Sequence, residues 1–188
     1  RKNRISYRLV KLDKEERVID LNKPQLLKGF NEVTKGNGYY KARLSTAASP
    51  RELMAGNYML RSIYKAKDTD HVIYTMESFE QYPDLHYATL DFKKSIRLTH
   101  GIDQQKDYLW GTAELVSWIS LDGRKLEGVV YKPADFDPAK KYPLIVSFYE
   151  RNSETLFNYR MPEPHRSTID YHLYNSNGYI VFNPDIRY

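Results

Sequence analysis

Apolar and polar positions alternate in short bursts through the first half of this chain and condense into two apolar runs near its end. Turn-forming residues separate the bursts, so the pattern predicts short strands rather than long helices. Residues 5–10 and 17–21 read as two strands around a polar turn at 13–16. Further strands are expected at 58–64, 71–77, 85–91 and 95–99. Segment 22–57 holds Pro24, Gly29, Gly36, Gly38, Pro50 and Gly56, and reads as an irregular insertion with a short helix at most.

The pattern changes after a polar, turn-like stretch at 101–109. Strands are expected at 114–120 and 125–132, around Leu121-Asp122-Gly123-Arg124. Asp-Gly predicts a tight hairpin with positive φ at both central residues. Pro133, Pro138 and Pro143 then punctuate a loop. Leu144-Ile145-Val146-Ser147-Phe148-Tyr149 is nearly all apolar, the mark of a parallel strand covered on both faces. A helix is expected over 166–177, with Ile169, Leu173 and Tyr174 on one side and Gly178 as its stop. Tyr179-Ile180-Val181-Phe182 reads as a second buried strand. Strand, helix and strand in this order build a parallel βαβ unit.

A weak repeat relates Leu12-Asp13 and residues 17–21 to Leu90-Asp91 and residues 96–98. Repeated small antiparallel sheets suggest propeller blades. The offset of about 78 residues exceeds one ordinary blade of about 40–50, and the insertion at 22–57 would account for the excess.

Composition narrows the function classes. Aromatic residues make up 14% of the 188, with 17 tyrosines, which suits half-buried sheet and argues against disorder. The net charge is +5, but 29 basic residues are interleaved with 24 acidic ones, so no basic patch for nucleic acid stands out. The chain has no cysteine, which excludes disulfides and thiolate metal sites. No apolar run approaches the length of a membrane span. Nothing calls for a cofactor or a metal. His165 and His172 lie seven apart, but no carboxylate at metalloprotease spacing accompanies them. Glu77, Glu80 and Asp84 cluster around Phe79, Tyr82 and Pro83, and read as exposed acids of a turn.

The stretch Glu114-Leu115-Val116-Ser117-Trp118-Ile119-Ser120-Leu121-Asp122-Gly123 resembles the joint between propeller and peptidase in the prolyl oligopeptidase family, especially its dipeptidyl-peptidase-like branch. The resemblance continues through Leu126–Pro133, the loop Phe136-Asp137-Pro138-Ala139-Lys140-Lys141-Tyr142-Pro143, and the apolar strand closing on Tyr149. Residues 83–99 are similar to a last blade of such a propeller. The resemblance implies a β plus α/β fold. Residues 1–109 would end a β-propeller, with the insertion at 22–57, and residues 110–188 would start an α/β-hydrolase domain, truncated before its nucleophile.

The function so implied is hydrolysis of small peptides by Ser-His-Asp acyl transfer. No G-x-S-x-G elbow occurs in the sequence, and all five histidines precede the place where the family's elbow would follow. The triad is therefore expected outside this chain, and the chain alone is expected to be inactive. Tyr149 matches the family's strand-closing tyrosine, whose hydroxyl serves the oxyanion; Glu150-Arg151 follows it, where many members have glycines. Asp185 and Arg187 fall at the family's Asp-x-Arg-Gly turn, with Tyr188 in place of the glycine, and read as turn-formers. Trp110 and Trp118 are expected to pack between the two domains. The implied partner is a peptide substrate, with no nucleic acid and no membrane span. Strand 144–149 would expose an unpaired apolar edge, so swapping, a homodimer or aggregation is expected. Relatives of this branch are often exported, which implies a periplasmic or secreted location. Alternatives are a non-catalytic binding protein built on the propeller and an esterase or acyl hydrolase of the same fold.

Overall fold

The computed structural model describes residues 4–13, 15–164 and 169–187, and these are mostly antiparallel strand with little helix. They form two compact units: Arg1–Glu77 with Pro83–His100, and Ser78–Tyr82 with Gly101–Tyr188. The division does not follow a single cut in the sequence, because the short segment Ser78–Tyr82 belongs to the second unit.

The first unit consists of two four-stranded antiparallel meanders. Strands β1 (Ile5–Leu9), β2 (Pro24–Asn31), β3 (Asn37–Arg43) and β4 (Arg51–Gly56) pair in sequence order. Strands β5 (Met59–Lys65), β6 (His71–Glu77), β7 (Asp84–Thr89) and β8 (Ser95–Arg97) do the same. The segment expected to be an irregular insertion therefore supplies three strands of the first sheet. Its glycines are there for closeness rather than for loops. A Cβ at Gly29 would lie 2.4 Å from the Tyr40 ring, and one at Gly38 would lie 2.6 Å from the Met54 carbonyl oxygen. Residues 17–21, expected as a strand, are irregular, so the proposed sequence repeat fails at its first copy. Position 14 of the expected turn lies outside the described residues.

One apolar core joins the two meanders. Leu26 and Tyr39 from the first pack with Leu60, Val72, Tyr74, Ala88 and Phe92 from the second. Tyr39 stacks on Phe92 at 4.8 Å between centroids and meets Tyr74 edge-on at 6.0 Å, spacings typical of favourable aromatic pairs. At the rim, the Arg61 guanidinium donates twice to Glu77, and Arg97 and Thr99 both donate to the fully buried Asp84. Charge pairing of this kind is what makes burial of a carboxylate affordable. On the opposite face of the second sheet, Tyr64, Ile73, Tyr87 and Ile96 stand directly opposite one another across all four strands. Tyr64 and Ile96 are more than half exposed.

The second unit is built on one sheet in the order β11-β12-β10-β9. Strands β9 (Thr112–Ile119) and β10 (Lys125–Lys132) form a hairpin, and β12 (Ile180–Pro184) runs antiparallel to β10. Strand β11 (Leu144–Val146) lies parallel to β12, in the register Leu144 with Ile180 and Val146 with Phe182. The short helix α1 (Tyr171–Ser176) lies on the crossover between them. This is the parallel pair the two apolar runs predict. The hairpin turn differs from expectation. Only Gly123 has positive φ, at 77°, and its N–H donates to Ser120 O while Ser120 N–H donates to Arg124 O. That is the three-residue loop with a glycine bulge, which asks for left-handed geometry at one position instead of two.

Other differences follow from position in the sheet. Strand β11 lies at the sheet edge, as expected, but Leu144 and Val146, which share one face, are 56% and 48% exposed rather than covered. Helix α1 starts at Tyr171, where Asp170 caps it by accepting from His172 N–H and Leu173 N–H, and residues 165–168 lie outside the described part. Gly178, at φ 79°, ends it as expected. Ile169 and Tyr174 face the core, whereas Leu173 points outward. Among the described residues, no helix is long and apolar enough to cross a membrane.

Tyr39 is fully buried, yet its hydroxyl has no hydrogen-bond partner among the described residues, and burial drives its pKa well above the usual tyrosine value. Leaving a buried polar atom unpaired costs about 1–3 kcal/mol. Tyr39→Phe is therefore expected to be neutral or stabilising by about 1 kcal/mol. Tyr39→Ala should instead cost about 3–5 kcal/mol by opening a cavity. Urea unfolding of both variants checks the pair of signs.

Candidate functional site

Parallel strands β11 and β12 end side by side, and the chain beyond each end meets the other. In open sheets, ligands bind outside the carboxyl ends of parallel strands, where loops diverge. Tyr149 lies just past β11 and is 76% exposed. Its neighbour Glu150 has a φ of 52°, in the left-handed region where a side chain is unfavourable. A dense set of hydrogen bonds holds this turn. Ile186 N–H donates to Glu150 O at 2.9 Å. The Asn152 side-chain amide donates to Tyr149 O at 3.0 Å and to Pro184 O at 3.1 Å. The Asp185 carboxylate accepts from Asn152 N–H at 2.6 Å, Ser153 N–H at 2.7 Å and the Ser153 hydroxyl at 2.6 Å.

The sequence marks Asp185 as a turn-former, and its carboxylate accepts from a second loop 32 and 33 residues away. The signal was a short polar pair, Asn152-Ser153, following one apolar run and an aspartate following the other; no local rule connects them. Arg187 swings away from this knot and pairs with Asp122 in the β9–β10 hairpin. Arg151 forms an exposed ion pair with Glu154 at 3.2 Å.

The remaining sequence candidates are dispersed. His71 shares a hydrogen bond with the Tyr87 hydroxyl at the surface, His86 is buried against Tyr74, and His100 is exposed. His165 lies outside the described residues, so its pairing with His172 has no structural counterpart here. Among the described residues, no group of three or more metal-ligating side chains converges. Glu77 and Asp84 are buried and committed to ion pairs with Arg61 and Arg97, instead of forming an exposed acidic turn. Only Glu80 of that cluster is exposed.

Phe79 is buried in the core of the second unit with Tyr131, Val129, Val181 and Tyr171. The Trp110 indole N–H donates to Phe79 O at 2.8 Å, and its ring stacks on Tyr159. Trp118 meets Phe182 edge-on at 5.5 Å. The described ring contacts of both tryptophans lie within the second unit.

A hollow of about 460 Å³ in the second unit is lined by Tyr82, Gln105, Trp110, Tyr159, Met161 and His172 among others. His172 is sandwiched between Phe79 and Trp110, and its Nε2 bonds to Arg160 O at 2.8 Å. Burial holds its pKa below the ordinary histidine value, against the opposing pull of the Arg160 carbonyl and Asp170. The hollow is largely aromatic, and among the described residues no nucleophile in its lining is paired with a base.

The fold can be set beside known proteins. No family model matches the chain, and no curated protein matches it. Solved structures of peptidases do. The Pyrococcus horikoshii acylaminoacyl peptidase is similar at a TM-score of 0.58 and 19% identity, over 88% of this chain and 24% of that one. An acylaminoacyl peptidase in complex with Z-Gly-Gly-Phe-chloromethyl ketone gives 0.57 and 19%, over 88% and 24%. The AtxE2 isopeptidase with Astexin3-dC4 bound gives 0.55 and 13%, over 96% and 31%. At such identities the likeness is one of fold. The chain spans about a quarter to a third of the length of these structures.

Two predictions follow from the geometry. Glycine at 150 removes the left-handed penalty, so Glu150→Gly should be neutral or stabilising by about 1 kcal/mol, while Glu150→Val should destabilise by about 1–2 kcal/mol. Thermal unfolding distinguishes the two. For His172, the folded pKa lies below the unfolded value of about 6.5, so the unfolded chain takes up the proton first. Its stabilising contribution is full above pH of about 6.5 and falls away as acid is added below it. His86 has the same sign, again chiefly through burial. Replacing both histidines by Phe should flatten the acid limb of stability against pH whatever the baseline stability becomes.

Proposed function

We propose that this chain is a portion of a serine peptidase of the prolyl oligopeptidase family, in its dipeptidyl-peptidase-like branch. In this reading the two meanders are successive propeller blades, and the β9–β12 sheet opens an α/β-hydrolase domain. The nucleophile, its histidine and its acid would lie in parts of the protein that these 188 residues do not contain. The observation that carries the reading is the parallel β11–β12 pair with an exposed tyrosine braced at its carboxyl end. The peptidase fold neighbours support it from a separate direction.

In the proposed mechanism, the Tyr149 hydroxyl donates a hydrogen bond to the carbonyl oxygen of the scissile bond. As the nucleophile attacks, that oxygen gains negative charge, and the donor holds it more tightly than it held the neutral carbonyl. Only an interaction that strengthens in this way speeds the chemical step. The knot beneath Tyr149 matters because a preorganised donor spends nothing on reorientation during the reaction. The substrate would be a small peptide, which the propeller restricts on its way to the site.

In the full-length protein, Tyr149→Phe is expected to lower kcat by about 10²–10³-fold with little change in KM, the equivalent of about 2.7–4 kcal/mol. Steady-state kinetics on chromogenic dipeptide and oligopeptide substrates measure it. The same substrates should be hydrolysed only at background rate by the 188-residue chain alone. Turnover by that chain, blocked by a serine-directed phosphonate, would overturn the placement of the nucleophile elsewhere.

A further inference from the structure

We infer that Asp185 is a positioning residue: from the end of β12 its carboxylate fixes the turn 149–153, and so sets the direction in which Tyr149 offers its hydroxyl. This rests on the assignment of Tyr149 as the oxyanion donor and extends it to a residue that never touches substrate.

Three bonds converge on the carboxylate, from Asn152 N–H, Ser153 N–H and the Ser153 hydroxyl, all between 2.6 and 2.7 Å. They are short, and all three converge on one side chain. Ser153 is fully buried, so its N–H and hydroxyl depend on this carboxylate, while Asn152 and Asp185 are half-buried. Asp185 is itself anchored, because its N–H donates to Glu127 O on β10 at 2.8 Å. A continuous line of hydrogen bonds thus runs from the sheet, through Asp185, into the turn. The turn needs such a brace: Glu150 sits at φ 52°, a conformation that a side-chain-bearing residue keeps only when its surroundings impose it. The other braces are single neutral bonds, from Ile186 N–H to Glu150 O and from the Asn152 amide to Pro184 O.

The donors are backbone amides and a hydroxyl, with no cation among them. The role is therefore one of shape. An Asn at 185 keeps an oxygen for the two backbone N–H groups, and its own amide can donate to the Ser153 hydroxyl oxygen. An Ala can do neither.

The test is steady-state kinetics in the full-length protein, with a double-mutant cycle. Asp185→Ala is expected to lower kcat by about 10- to 100-fold with KM within about twofold, and Asp185→Asn to stay within about threefold of wild type. Combined with Tyr149→Phe, Asp185→Ala should add no further loss, because the group it positions is already gone. Ser153→Ala, which deletes one of the three bonds and leaves the carboxylate, should show the same kcat-only loss at smaller size. In the 188-residue chain, hydrogen exchange should speed up at the Asn152 and Ser153 amides of Asp185→Ala while Val129 and Val181 stay protected. Losses that multiply in the double variant overturn the inference and leave Tyr149 in place. So does an Asn variant as slow as the Ala variant, or unchanged exchange at 152 and 153. Wild-type kcat in Tyr149→Phe overturns the oxyanion assignment and this inference together.

Discussion

The parallel pairing of Leu144–Val146 with Ile180–Phe182 is the constraint on which the second unit depends. Antiparallel neighbours can be joined by a tight turn, but parallel ones need a crossover. The chain from 147 to 179 supplies it, and α1 on that crossover carries Tyr171 into the core beside Tyr131. Because the strands run the same way, their carboxyl ends finish at the same edge. Tyr149 and Asp185, 36 positions apart, become neighbours in one knot for that reason alone. Reversing the direction of either strand would carry one of them to the far end of the sheet.

The first unit solves a different problem. Each meander has an inner face of large residues that must be covered. The two cover each other, with Tyr39, Tyr74 and Phe92 as the interlocking rings. The glycines of β2 and β3 belong to the same solution. Gly29 and Gly38 leave room for the Tyr40 ring, whose edge meets Tyr7 at 5.1 Å between centroids. Backbone permissiveness is spent there on close approach, not on a turn.

That use of glycine explains which parts of the fold could be read from sequence. Strands β6 and β10 were legible to the residue, since His71–Glu77 and Lys125–Lys132 are bounded by clear turn signals. The two apolar runs of the parallel pair were legible as strands, although the first ends at Val146 and not at Tyr149. Segment 22–57 was not, because its glycines and prolines carry the local signature of breakers while their role is set by contacts with Tyr40 and Met54. The edge position of β11 was foreseen, but coverage on both faces was not met, because an apolar run does not reveal whether anything packs on its second face. At the candidate site, Tyr149 could be singled out through the family resemblance. Asp185 could be named only as a turn-former, and its bonds to Asn152 and Ser153 could not be read, because they exist only once two strands are aligned. Leu173 was placed on the wrong side of its helix, as a six-residue helix offers too few turns for periodicity to fix its phase.

The in-register row Tyr64, Ile73, Tyr87 and Ile96 has a practical side. It gives the second meander a greasy stripe that water must wet whenever nothing shields it. In concentrated solution such a row is a place where copies of the polypeptide can meet. Lysine at 64 and 96, the outermost rungs, would interrupt it while sparing the side chains that point inward.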